Sequence, residues 1–288
     1  MFIYLYYYKN KQYMKQTIFY LEGRGSMYLF HFFIYNLGGL MYILNKEYHI
    51  RGEPNSSVLL EDKRKIVDKP TTEITFPIKI YMKDILPFQK EAFEIIKDKF
   101  ELIEDLNTIS DYEIVSIYGE ISRKYLSDNR QIIFPFIRNL FLEKCNYNFL
   151  NGKRIFITRK NSELQHNGIL KRYILNENEL KNMLSKYNFE FIQLEDYKTE
   201  EKIKLFMQSE IIVSSHSGAL TFTLFSDTKT KIIEILNKGT KGFDHNHYVS
   251  ICDVLKLNYN RYTNIKEDVN GNFNINVDNF ENYLLQLM

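Results

Sequence analysis

The run Ile211-Ile212-Val213-Ser214-Ser215-His216-Ser217-Gly218-Ala219-Leu220-Thr221 constrains the fold more tightly than any other segment. Its first half reads as a buried strand and its second half as a turn of very small residues with one imidazole at the bend. Small side chains at Ser215, Ser217, Gly218 and Ala219 let free backbone N–H groups approach an anion. The apolar positions Leu220, Phe222, Leu224 and Phe225 then continue as a buried helix. Strand, small turn and helix is a phosphate-binding layout. Tight packing in a parallel sheet uses the same residues, so the flanking sequence decides between the two readings.

That flank alternates regularly. Arg154 to Thr158 is a β-branched strand, and Asn176 opens a helix with apolar positions Leu180, Met183, Leu184 and Tyr187 at helical spacing. Asn176 with Glu179 forms an N-cap signature. Phe189 to Leu194 is the next strand, and Thr199 with Glu200 and Glu201 begins a helix whose acids sit at its positive end. Ile203, Phe206 and Met207 supply the buried face of that helix. Lys231 to Leu236 and Asn258 to Tyr262 read as strands around a helix over His247 to Leu257. The expectation is a parallel, Rossmann-like lobe in which Arg159, Ser215 to Gly218 and the end of Lys231 to Leu236 share one rim, since ligands gather at the carboxyl ends of such strands.

The first half is also α/β. Ile78 to Tyr81 and Glu113 to Tyr118 read as strands, and Phe88 to Phe100 has helical spacing. Ile132 to Leu142 contains Pro135, which predicts an extended piece turning into a helix that bears Arg138. Residues 52 to 72 collect Gly, Pro, Asn, Ser and charge, an exposed connection around one short strand. With 288 residues two domains are expected, divided near the turn signal Asn151-Gly152 into residues 1–150 and 151–288.

Thirty-eight basic against 36 acidic residues, well mixed, give a net charge of +2 and no electrostatic case for nucleic acid, although a small anion remains admissible. The only cysteines, Cys145 and Cys252, support neither a disulfide framework nor a thiolate metal site, which fits a reducing, cytoplasmic setting. The opening Met1-Phe2-Ile3-Tyr4-Leu5 lacks a basic n-region and a cleavage site. Met27 to Asn45 has no Lys, Arg, Asp or Glu and approaches the length of a bilayer span. Its His31, Asn36, Gly38 and Gly39 favour a buried helix of the first lobe over membrane association. His245-Asn246-His247 has only Asp244 beside it, so no metal site is expected.

Four segments then fall in a specific order: Ile157-Thr158-Arg159; Lys171-Arg172-Tyr173-Ile174-Leu175-Asn176-Glu177; Ser215-His216-Ser217-Gly218-Ala219-Leu220-Thr221; and Ile232-Ile233-Glu234-Ile235. Together they resemble glycosyltransferase family 61, over about residues 153–262. Members share an Arg ending a strand, an R-x-x-N-E helix start, an H-G-A-G-L-type turn and an apolar strand carrying Glu. Ser26 to Phe33, with His31, and Phe134 to Arg138 are weaker matches to the first lobe of that family.

The resemblance implies a GT-B architecture, two Rossmann-like lobes facing across a cleft. It implies transfer of a sugar, with inversion, from a nucleotide diphosphate sugar such as a uridine diphosphate donor to a hydroxyl on a glycan or protein. No cofactor or obligatory metal is implied. The donor-binding set is Arg159, Arg172, Asn176, Glu177, Ser215, His216, Ser217, Gly218, Ala219, Leu220 and Glu234, with Glu234 accepting from ribose hydroxyls and His216 orienting the turn or touching phosphate. Leaving-group charge on the β-phosphate needs fixed N–H dipoles and guanidinium groups, which Arg159, Arg172 and the turn backbone supply.

Each residue also has a structural reading: Arg172 paired with Glu177 or Glu179, Asn176 as a cap, Glu234 as a strand-end carboxylate, His31 as a core histidine. The turn permutes the family's small residues, and no carboxylate lies in Met27 to Leu44 to serve as the base. Glu22 and Glu120, on turns of the first lobe, are the substitutes, and His31 is a further catalytic candidate. The alternative is a non-catalytic nucleotide- or glycan-binding relative. A dinucleotide oxidoreductase would show G-x-G-x-x-G after its first strand, and this chain does not.

Overall fold

A computed structural model describes residues 16–22, 29–44, 66–67, 74–109, 111–118, 123–145, 152–159, 173–236, 247–269 and 271–288. The chain divides into two compact units, Met1–Asn129 and Arg130–Met288. Each is built on a five-stranded, wholly parallel sheet.

In the first unit the strands are β1 (Gln16–Glu22), β2 (Ile66–Val67), β3 (Ile78–Tyr81), β4 (Phe100–Ile103) and β5 (Tyr112–Tyr118), ordered β2-β5-β1-β3-β4. Ile18, Phe19, Tyr20 and Leu21 are all buried, so β1 is covered on both faces, as a central parallel strand must be. After β1 comes α1 (Leu29–His31), which passes through a π-helical stretch, Phe32–Asn36, into α2 (Leu37–Leu44). Almost every described side chain here is buried, and Phe32 meets Phe88 and Phe93 edge to face. The charge-free segment is therefore a core helix. No described helix is long and apolar enough to cross a membrane.

Two expectations are corrected in this half. The helical spacing of Phe88 to Phe100 runs through two elements: α3 (Pro87–Ile95) ends in a turn, and Phe100 begins β4. Pro135 does not open an extended segment either. It lies inside one continuous helix, α4 (Arg123–Leu142). A proline there removes an i→i−4 bond and costs about 3 kcal/mol. Burial of Ile133, Phe134, Ile137, Leu140 and Phe141 offsets that, at roughly 1.5–3 kcal/mol for each large apolar side chain. From Arg130 onward α4 belongs to the second unit, which thus starts ahead of the Asn151-Gly152 turn. Arg138 donates to the carbonyls of Leu224 (2.5 Å) and Ser226 (2.7 Å), and Phe141 packs on Phe225.

The second unit holds β6 (Lys153–Thr158), α5 (Glu177–Ser185), β7 (Phe189–Gln193), α6 (Thr199–Gln208), β8 (Ser209–Ser215), β9 (Lys231–Ile235), α7 (His247–Leu255) and β10 (Asn258–Tyr262). A hairpin of β11 (Ile265–Glu267) and β12 (Phe273–Ile275) and the helix α8 (Val277–Leu287) complete it. The order β10-β9-β8-β6-β7 puts β7 on one side of β6 and β8 on the other, so the connections diverge between β6 and β8. One sheet face, with Phe156, Ile211, Val213, Ile233 and Ile235, packs on Leu180, Met183 and Leu184 of α5 and on Phe280 and Leu284 of α8. By the two-residue period of a strand, Ser214 and Glu234 belong to the opposite face. Both cysteines are buried free thiols.

Candidate active site

A parallel sheet opens a crevice where its connections diverge, beyond the carboxyl ends of the flanking strands. Here those ends are Thr158-Arg159 of β6 and Ser215-His216 of β8. Ile157 pairs with Ser214, so Arg159 and His216 each follow the paired stretch directly on neighbouring strands. The register thus puts Arg159 and His216 just beyond the ends of adjacent strands.

Beyond β8 the chain bends at His216 and Ser217 into a 3₁₀ helix, Gly218–Phe225. Its first internal bond runs from the Leu220 amide to the Ser217 carbonyl, 3.1 Å. The amides of Gly218 and Ala219 precede that bond and are helix-start donors without an intrahelical acceptor. Gly218 is exposed, with Ser217 and Ala219 half-buried. The hydroxyls of Ser217 and Thr221 are buried and have no hydrogen-bond partner among the described residues. Leu220 is fully buried and serves the turn through packing, and Ser215 is buried at the strand end, its carbonyl accepting from Ser214 Oγ at 2.9 Å.

Arg159 is half-buried and has no hydrogen-bonded or ion-paired partner among the described residues. Burial pulls its guanidinium below the usual arginine range, and Tyr173, Glu195 and Tyr248 oppose that weakly through their fields. A desolvated cation without a contacting carboxylate is costly, and an anionic ligand would relieve the cost. Tyr248, on α7, also packs its ring at 5.3 Å on that of His216 and so links the two strand ends.

His216 is fixed from two directions. Its amide donates to the Ile235 carbonyl at 3.1 Å, and its Nδ1 lies 2.5 Å from Glu234 Oε1. Glu234 has no solvent exposure; its other oxygen accepts from the Tyr259 hydroxyl and lies 3.4 Å from Arg261 Nε. Both carboxylate oxygens are taken up inside the protein. This corrects the expected contact with ribose hydroxyls: Glu234 holds the imidazole.

Two further candidates are redirected. The Asn176 amide exchanges hydrogen bonds with the backbone of Ile275, Nδ2 to the carbonyl at 2.8 Å and Oδ1 from the amide at 3.0 Å. It makes no side-chain cap on α5. Glu177 pairs with Lys181 at 2.6 Å, one turn along the same helix. Both side chains make contacts within the fold. Arg172, Glu120 and the pair His245 and Asp244 lie outside the described residues. In the first unit Glu22 ends β1 opposite Tyr118 of β5, and the His31 ring packs against those of Tyr35 (5.2 Å) and Phe30 (6.0 Å). Among the described residues, no three His, Cys, Asp or Glu side chains gather as a metal-holding group.

Tyr248, Tyr259 and Arg261 escaped the sequence reading. The only signal for the last two was their i, i+2 spacing in a strand, which says they share a face but not which neighbour they meet.

A half-buried guanidinium and a turn of open amides thus lie at the carboxyl edge of a parallel α/β sheet, where ligands of such sheets gather. The chain matches the glycosyltransferase 61 family model over residues 29–233, well over half its length, and belongs to that family. It is a glycosyltransferase, with a sugar donor and a glycan or protein acceptor as its partners. The match reaches further towards the amino terminus than the four main segments, takes in most of the weaker Ser26 to Phe33 segment, and stops one residue before Glu234. No curated protein matches the chain.

Proposed function

We propose that the second unit binds the diphosphate of a uridine diphosphate sugar and that the enzyme transfers the sugar with inversion, without an obligatory metal, in a GT-B arrangement. The first unit, Met1–Asn129, serves as the acceptor lobe and the second, Arg130–Met288, as the donor lobe. The observation that carries this reading is Arg159, a half-buried cation with no contacting carboxylate among the described residues, at the switch point on the strand next to the one that leads into the Gly218–Ala219 turn. The unpartnered hydroxyls of Ser217 and Thr221 add support at the same turn.

In the reaction an acceptor hydroxyl oxygen bonds to the anomeric carbon from the face opposite the phosphate. The carbon–oxygen bond to the β-phosphate breaks, and its electron pair leaves with the nucleotide diphosphate. Arg159 and the two amides meet that charge where it develops, so the stabilisation is greatest in the transition state. The acceptor proton passes to a base, for which we assign Glu22: it ends the central strand of the first sheet, at the edge where ligands of parallel sheets gather. His31 stands behind it as a helix residue packed among aromatic rings.

Calorimetry with uridine diphosphate and a donor panel tests this. Wild-type protein should bind the nucleotide and release it from a sugar donor. Arg159→Met should weaken binding by about tenfold or more, the usual loss when one partner of a charged hydrogen bond is removed. Glu22→Gln should bind normally and turn over far more slowly. A folded wild-type protein that binds no common nucleotide diphosphate ends the proposal, and binding without turnover favours the non-catalytic alternative.

A further inference from the structure

We propose that Tyr259 and Arg261 are positioning residues of the donor site, acting through Glu234 to set the orientation and protonation of His216. The proposal rests on the donor-site reading above and extends it to a strand beyond the family match.

Sheet register places these groups together. Arg261 is the direct partner of Glu234 across β10 and β9, and Tyr259, two residues earlier, shares its face. The next pair along β8 and β9 is Ser215 with Ile235, after which His216 begins the turn. An edge strand thus delivers two donors to a carboxylate that reaches the ligand-side imidazole. The sheet itself has no need of the charge: apart from Lys231 at its start, the rest of β9 is Ile232, Ile233 and Ile235, and a buried charged group is weak as a stabilising device. Its cost is tolerable because three donors surround it.

The charges decide what His216 presents. With Nδ1 donating to Glu234, a neutral ring carries its lone pair on Nε2, whereas a protonated ring donates from both nitrogens. Glu234 alone would draw a proton onto the pair, and Arg261 supplies a competing positive charge. Among the described residues, the groups that bear on the ring and its carboxylate include Glu234 on β9, Tyr259 and Arg261 on β10, and Tyr248, Cys252 and Asp253 on α7, with Arg159 within the field of Tyr248. Burial, then Glu234, hold the Tyr259 phenol far above its usual value, so it stays an O–H donor. Burial pushes the Cys252 thiol up to about 12, so it stays neutral. Arg261 is therefore the charge that sets the balance between carboxylate and imidazole.

Two measurements on the full chain test this: ring-nitrogen NMR of His216 in the free protein, assigned with His216→Asn, and calorimetry with uridine diphosphate between pH 6.5 and 8.5. Arg261→Gln should move proton uptake by the His216–Glu234 pair to higher pH by about one unit. It should weaken nucleotide binding by about tenfold at pH 8.5 and by less at pH 6.5, the difference expected when a proton taken up by the variant replaces the lost charge. Arg261→Lys should restore most of the affinity, and Tyr259→Phe should shift the titration in the same direction by a smaller amount. In a His216→Asn background the pH dependence of the Arg261→Gln loss should vanish. A His216 signal unmoved by either β10 change, in protein that binds the nucleotide, overturns the proposal. So does a loss that is uniform with pH, as a purely structural role would give. Wild-type protein that binds no nucleotide diphosphate overturns the donor-site reading itself, whatever the histidine does.

Discussion

Asn176 shows how a motif residue can be spent on architecture. Its amide works like one more peptide group against Ile275, satisfying both the amide and the carbonyl of that residue. Asn176→Ala leaves both backbone groups without that partner. The expected loss is about 1–3 kcal/mol, read as a lower midpoint in urea unfolding, with unchanged affinity for uridine diphosphate. Had the residue touched the donor, the two readouts would move the other way. The motif R-x-x-N-E fits both outcomes from sequence alone, because helix starts and ligand sites draw on the same short polar side chains. His216 is the opposite case: a lone imidazole among small residues was visible, but its partner eighteen positions away was not.

Among elements, α8 is docked by a contact that responds to acid. The Tyr187 hydroxyl, just past α5, donates to Glu281 at 2.8 Å, and Lys186 lies 3.3 Å from the same oxygen. The Tyr187 hydrogen bond above all, with help from Lys186, holds the Glu281 carboxyl below its usual value. A carboxyl lowered by folding stabilises the folded state above its unfolded pKa, about 4.3, and loses that contribution as pH falls through the folded value. Thermal unfolding of wild type and Glu281→Gln should therefore differ at pH 7 and converge below about pH 4. Parallel curves at all pH values would exclude the contact as a source of stability.

Most elements of the second unit could be read directly. Buried parallel strands such as β6, β8 and β9 are short apolar runs closed by turn residues. The failures each have a cause. Phe93, Ile96, Phe100 and Ile103 keep helical spacing across the turn that separates α3 from β4, so periodicity merged the two. β1 is apolar on both faces and sits among aromatic residues, with no alternation to mark it. Pro135 outweighed a helical pattern that packing sustains. Tyr259 and Arg261 became site residues only through strand register, a property of the folded sheet.

At the scale of the molecule, the hairpin β11–β12 and α8 complete the core of the second unit. Phe273, Ile275, Phe280 and Leu284 lie in one cluster with Ile174, Leu180, Met183 and Leu184 and with the inner residues of β6, β8 and β9. Truncation after Asn264 uncovers that cluster. Losing even one large core side chain costs about 2–5 kcal/mol, and total stability is of order 5–15 kcal/mol, so the shortened chain should not fold. The expected result is insoluble protein, or soluble protein without cooperative unfolding. A cooperative, nucleotide-binding truncation product would show the cap to be dispensable.

This closure also orders events during synthesis. The capping hairpin and helix emerge from the ribosome last of the elements described, after every strand whose inner face they cover. Until then the nascent chain carries those apolar side chains uncapped, and the core of the unit is complete only once the hairpin and helix close over what was made first.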